Sequence, residues 1–216
     1  MRLNNHPSKY LSSGIEIYFW KIEETPQQLR LLLQDQDLVM KDLSNKRYSY
    51  KRQLEKLSTR VLLSSTLHKD CIISHKDTGQ PYFVNSNNYI SISHTKDIVT
   101  IAISKVPVGI DVEYKRHMEY NLGNLFLNEN ELQEYVSTRN HSEELLSLWT
   151  VKEAAYKFAP NKAKVLREII VCDRNVESNI LQSVVSYPDG SSARCYTYTI
   201  NELVISICVC LSPSLT

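Results

Sequence analysis

Hydrophobic and polar residues alternate along several short stretches of this chain, and each stretch predicts a half-buried strand. Gly14 to Ile22 reads G-I-E-I-Y-F-W-K-I, and Val106, Val108, Ile110 and Val112 alternate with other residues to give a strand over Val108 to Tyr114. Strands are also expected at Cys71 to Ile73, Tyr82 to Val84, Ile90 to Ser93 and Ile98 to Ser104, the last two forming a hairpin around His94, Thr95, Lys96 and Asp97. Further on, the pattern predicts strands at Glu168 to Cys172, Gln182 to Tyr187, Arg194 to Ile200 and Leu203 to Leu211.

Spacings of three and four mark the helices between them. Thr25-Pro-Gln-Gln28 combines an N-cap, a proline at the first helical position and a glutamine at the third. A longer helix is expected from about Ser44 to His68, with leucines at 54, 57, 62, 63 and 67. Asn128 and Glu131 fit a capping box for a helix over Glu129 to Val136. Ser142, followed by Glu143 and Glu144, suits the N-cap of a helix running to Phe158, with Leu145, Leu148, Trp149 and Ala155 or Tyr156 on one face. The order strand, helix, helix, strands thus occurs twice, although no residue-level repeat accompanies it.

The 216 residues, 42% hydrophobic and 23% charged, describe an ordinary globular protein with room for one large domain or two small ones. No apolar run reaches the length of a membrane span, and the N-terminus lacks an apolar signal core, so a cytoplasmic protein is expected. The cysteines, Cys71, Cys172, Cys195, Cys208 and Cys210, are odd in number and contain no C-x-x-C, which argues against a disulfide framework or a zinc site. Net charge is +1, but residues 1–107 carry 15 Lys and Arg against 10 Asp and Glu, whereas residues 108–216 carry 10 against 14. Such a split suits an anion-binding half and a metal-binding half, although imbalances this small also arise by chance.

Two acidic segments carry the candidate chemistry: G-I-D-V-E from Gly109 to Glu113, and W-T-V-K-E-A-A-Y-K from Trp149 to Lys157. Strand alternation puts Asp111 and Glu113 on one face with Cβ atoms about 6 to 7 Å apart. Oxygen-only ligands of this kind suit Mg²⁺ or Mn²⁺ rather than zinc. A polar strand face in water would read the same way. Glu153 and Lys157 lie one helical turn apart, which also describes a surface ion pair worth about 0.2–0.5 kcal/mol. Lys152 sits about 100° round the helix and is expected to serve a different neighbour.

Taken together, G-[IV]-D-[IV]-E and W-[ST]-x-K-E-[AS]-x-x-K resemble the paired signature of the 4'-phosphopantetheinyl transferases, in their order and at about their spacing. F-L-N-E-N-E from Phe126 to Glu131 is similar to the family's F-x-x-x-x-E, I-S-I-S-H-T from Ile90 to Thr95 to its S-H-[ST] strand end, and G-Q-P from Gly79 to Pro81 stands where G-K-P is usual. The resemblance spans about Lys51 to Lys157.

This resemblance implies an α+β fold of two pseudo-twofold-related subdomains, each an antiparallel sheet packed with helices, of the larger, monomeric, surfactin-synthetase-activating type. The subdomains are expected at residues 1–107, on the nucleotide side, and 108–216, carrying the metal and catalytic motifs. It also implies a reaction, the transfer of phosphopantetheine from coenzyme A to a serine of an acyl or peptidyl carrier protein, releasing adenosine 3',5'-bisphosphate. Carried over residue by residue, Asp111, Glu113 and Glu153 would hold Mg²⁺, Lys157 would stabilise phosphate charge, and Glu153 would help deprotonate the serine. His94, placed near Asp111 at the hairpin mouth, would donate to a phosphate, although a packing or capping histidine would look alike. Arg52 and Arg60, on one helix face, are the candidates for the nucleotide 3'-phosphate, with Lys46, Arg47 and Lys51 behind them. A solvated basic face is the ordinary alternative. No nucleic acid or membrane partner is implied.

Two departures stand out. Gln80 replaces the lysine of G-K-P, which removes a charge-assisted contact to coenzyme A unless Lys76 compensates. After Lys157 the chain reads F-A-P-N-K-A where the family usually has glycine. A non-catalytic module that binds coenzyme A or a carrier protein, and a metal-dependent nucleotide hydrolase, are the competing functions.

Overall fold

The structure, a computed structural model, describes residues 14–33, 48–66, 72–136 and 141–211. Lys46, Arg47 and Cys71 lie outside the described residues. The strands are β1 (Ile15–Lys21), β2 (Ile73–His75), β3 (Pro81–Phe83), β4 (Tyr89–Thr95), β5 (Ile98–Ser104), β6 (Val108–Tyr114), β7 (Ile170–Glu177), β8 (Ile180–Ser186), β9 (Ser192–Ile200) and β10 (Leu203–Cys210). The helices are α1 (Pro26–Leu31), α2 (Tyr50–Thr66), α3 (Tyr120–Phe126), α4 (Glu129–Val136) and α5 (His141–Phe158).

All strand pairs are antiparallel, in a mixed α+β architecture. One sheet has the order β1-β5-β4, a second the order β6-β10-β9-β8-β7, and β2 and β3 form a small ribbon. Helix α2 covers the first sheet, packing Leu57, Val61 and Leu62 into a core with Trp20, Val99 and Ile101. Helix α5 covers the second, where Leu145, Val151, Ala154 and Ala155 share a core with Cys195, Val204 and Cys208. A third core joins the sheets, with Ile15, Ile17 and Ala102 meeting Ile110, Val112 and Ile205. Strand β5 is therefore buried on both faces, which explains why I-V-T-I-A-I reads as a nearly continuous apolar run.

The seam between the two sheets positions the site. Edge strands β4 and β6 run side by side, and serine hydroxyls replace a backbone ladder: Ser91 Oγ accepts from Ile110 N at 3.0 Å and Ser93 Oγ from Val112 N at 3.3 Å. Without those hydroxyls, two buried amides would have no partner in the seam. On its other side β6 lies so close to α5 that a Cβ at Gly109 would stand 2.1 Å from the Ala154 carbonyl oxygen and 2.5 Å from Phe158 N. The glycine of G-I-D-V-E is thus a packing requirement.

Several boundaries differ from the expectations. His94 and Thr95 belong to β4, paired with Val99 and Ile98, so the hairpin loop is only Lys96 and Asp97, with Lys96 at φ 37°. Ser142 lies inside α5 rather than capping it; its hydroxyl accepts from Met118 N at 2.8 Å and so anchors the loop after β6. Strand β7 begins at Ile170, after a short 3-10 turn over Leu166–Glu168, and continues to Glu177 across a bulge between Cys172 and Asn175. Ribbon strands β2 and β3 shift by one or two residues. Helix α3 was not expected. The four described cysteines, Cys172, Cys195, Cys208 and Cys210, are free thiols. No helix among the described residues is long and apolar enough to cross a membrane.

Candidate active site

Strand alternation along β4 turns Ser91, Ser93 and Thr95 toward β6, and the same alternation along β6 turns Asp111 and Glu113 toward them. Ser93 donates to Asp111 Oδ1 at 2.8 Å, and Thr95 donates to Glu113 Oε2 at 2.9 Å. From the end of α5, Lys157 Nζ reaches the same corner, 2.6 Å from Asp111 Oδ1 and 3.0 Å from Ser93 Oγ. Ser93 Oγ therefore uses its one donor and both acceptor positions, the second through Val112 N. Asp111 is only 5% exposed, and its second oxygen, Oδ2, is buried without a partner. Glu113 Oε1 lies 3.8 Å from Arg116 Nη2.

Glu153 completes the acidic group from α5. Burial raises its pKa above the ordinary glutamate value; Lys157 opposes this, while Asp111 and Glu113 add to it. The carboxylates thus repel one another, and the Lys157 ammonium acts against that repulsion.

Lys152 has a different task, as its place on the helix suggested. Fully buried, its ammonium donates to Glu131 Oε2 at 2.5 Å and to the Phe126 carbonyl at 3.0 Å. Glu131 also accepts from Asn128 N and, through Oε1, from Val171 N, both at 3.0 Å. With Asn128 Oδ1 accepting from Glu131 N, the expected capping box is present. Its glutamate ties α4, α5 and β7 together.

His94 lies near the end of β4 rather than in the hairpin loop. One residue beyond Ser93 on a strand, it faces away from the carboxylates and lines a cavity of about 160 Å³ with Arg52, Lys56, Arg60, His75 and Ile92. Burial above all pushes its pKa down to about 4; Arg52, Lys157 and Lys51 act in the same direction and Glu55 against them. Its imidazole is neutral near pH 7. Lys157 is ion-paired with Asp111 and does not line the cavity, but its charge bears on His94, which does.

Both Arg52 and Arg60 line the cavity, and Arg52 is paired with Glu55 at 2.9 Å. Lys51 stands at the 4.0 Å limit of a contact with the same glutamate. Lys56 was missed, although it lies midway between the two arginines at a spacing of four, the spacing that puts all three on one face. Ser91 and Ser93 were missed too. Gln80 does not turn its amide into the cavity: Nε2 donates to the Lys157 carbonyl at 3.3 Å, and Oε1 accepts from Lys76 Nζ at 2.9 Å. The segment after Lys157 is tied down by Lys162, whose ammonium reaches Asp189 Oδ2 at 2.7 Å and Ser191 Oγ at 2.6 Å.

Asp111, Glu113 and Glu153 fit a hard divalent cation by chemistry. All are oxygen donors, the buried Asp111 Oδ2 has no hydrogen-bond partner, and the group carries unbalanced negative charge. They are not gathered into a ready-made cage: among the described residues, no three His, Cys, Asp or Glu side chains are placed to enclose an ion.

Residues 107–208 match the model of the 4'-phosphopantetheinyl transferase superfamily. The 4'-phosphopantetheinyl transferase gsp of Aneurinibacillus migulanus is 30% identical over 118 residues, 52% of this chain and 49% of that protein, so the chain spans about half the length of this curated relative. Among solved structures, the holo-[acyl-carrier-protein] synthase of Thermotoga maritima covers 48% of this chain and 62% of its own, at 17% identity and a TM-score of 0.40. Residues 107–208 are thus the part of this chain that is similar to the 4'-phosphopantetheinyl transferase superfamily.

Proposed function

We infer that this protein transfers 4'-phosphopantetheine from coenzyme A to a serine hydroxyl of an acyl or peptidyl carrier protein. The observation that carries this reading is that the Asp111–Ser93–Lys157 cluster lies one residue along β4 from His94, which lines the basic cavity. A pyrophosphate spans such a junction when one of its phosphoryl groups reacts and the other leaves with the nucleotide.

The cavity's Arg52, Lys56 and Arg60 hold the phosphorylated nucleoside end, since guanidinium and ammonium groups bind phosphate oxygens by charge-assisted hydrogen bonds. Neutral His94 donates one N–H there. A divalent cation held by Asp111, Glu113 and Glu153 would neutralise charge on the pyrophosphate. Lys157 supplies a positive charge beside the bond that breaks, where charge develops in the transition state. Glu153, whose proton affinity burial has raised, takes the serine proton. The serine oxygen then forms the new bond to phosphorus as the pyrophosphate bond breaks, and adenosine 3',5'-bisphosphate leaves.

A panel of purified apo carrier proteins, each incubated with a fluorescent coenzyme A analogue and Mg²⁺, tests the reading. Covalent label on at least one carrier is expected, reduced by about 10²–10⁴ in the Asp111→Ala and Glu153→Ala variants. Tight coenzyme A binding with no label on any carrier would leave only a binding module.

A further inference from the structure

Gln80 occupies the turn between β2 and β3, and both of its neighbours, Gly79 and Pro81, line the basic cavity. The turn is closed by Lys76 N donating to the Gln80 carbonyl at 3.0 Å and Gly79 N to the Lys76 carbonyl at 2.8 Å, with Gly79 at φ 81°. The Gln80 side chain leaves this wall and reaches the last turn of α5, 77 positions away in sequence. The final carbonyls of a helix have no intrahelical donor, and Gln80 supplies one to the Lys157 carbonyl. Its other end holds the Lys76 ammonium. On the opposite side the same helix end is seated against Gly109.

We propose that Gln80 is a positioning residue: it latches the cavity wall to the backbone of Lys157, so that a ligand in the cavity and the Lys157–Asp111 pair are held in one register. An amide suits this task because it donates and accepts at once. A lysine at this position could donate to the carbonyl but would repel Lys76. The turnover part of the proposal rests on the function proposed above; the latch itself does not.

The test compares the wild-type chain with Gln80→Ala and Gln80→Glu, the latter able to accept from Lys76 but not to donate to the Lys157 carbonyl. Amide hydrogen exchange is followed over residues 76–81 and 154–162, together with coenzyme A affinity and turnover. Both variants should exchange several-fold faster at Phe158 and Ala159 as well as in the turn, and turnover should fall about tenfold, the worth of one hydrogen bond. Coenzyme A affinity should change far less. In a Lys157→Ala background, Gln80→Ala should cause no further loss of turnover. Faster exchange confined to the turn, a tenfold loss of affinity with turnover intact, or losses that multiply with Lys157→Ala would overturn the proposal. If the wild-type chain modifies no carrier, the proposed function fails, and exchange at Phe158 and Ala159 still decides the latch.

Discussion

Ser93 and Asp111 meet across the seam of the two sheets, the buried serine hydroxyl 2.8 Å from Asp111 Oδ1. That bond stands beside two others on the same oxygen of Ser93, from Val112 N and from Lys157 Nζ. Replacing Ser93 with alanine removes the partner of a buried amide and loosens both members of the ion pair. The expected cost is about 1–3 kcal/mol, read by urea unfolding as a lower midpoint with an unchanged slope. Turnover should fall as well, since Lys157 loses one of its two anchors.

The buried Lys152–Glu131 pair predicts a different pattern. Lys152→Met leaves Glu131 without a countercharge in the core and should cost about 3–5 kcal/mol. Adding Glu131→Gln should recover part of this loss, because the uncompensated charge is gone while an amide can still serve some of the backbone partners. Denaturant unfolding of the two variants checks the order.

His94 predicts a pH dependence. Its pKa falls from the ordinary value near 6.5 in the unfolded chain to about 4 in the fold. Between those values the unfolded chain binds a proton that the folded one does not, so stability drops as pH falls through this window. The slope should be a fraction of the about 1.4 kcal/mol per pH unit of a fully shielded group. Stability curves of wild type and His94→Asn between pH 4 and 6.5 should differ by this slope; parallel curves would remove the argument.

Gly109→Ala should destabilise by about 1–3 kcal/mol or more. The atoms its Cβ meets at 2.1 and 2.5 Å are backbone, which cannot turn aside. A thermal melt reads the loss directly.

The parts of this molecule legible in its sequence are those with local causes. Strand β6 and the body of α5 follow from periodicity, and the capping boxes at Thr25 and Asn128 form as their residue types require. Helix α3 escaped notice because seven residues interrupted by Gly123 are too short to establish a period. Strand β7 was cut short because its bulge, with Asp173 at φ 48°, breaks the alternation. The roles of Ser91 and Ser93 depend on a neighbour strand nearly twenty residues away, and a serine in a strand offers no sign of which backbone it will meet. His94 was expected in a four-residue hairpin loop, whereas the turn has two residues and His94 pairs with Val99 in β4. Gln80 read as a missing charge, and only the fold shows its amide bound to Lys157.

The most direct test of the central claim is the intact mass of an apo carrier protein incubated with this chain, coenzyme A and Mg²⁺. The account predicts a gain of about 340 Da on one serine, with one adenosine 3',5'-bisphosphate released per carrier modified. Bisphosphate released at the same rate without any carrier, or no mass change across carriers of fatty-acid, polyketide and peptide synthesis, would contradict it.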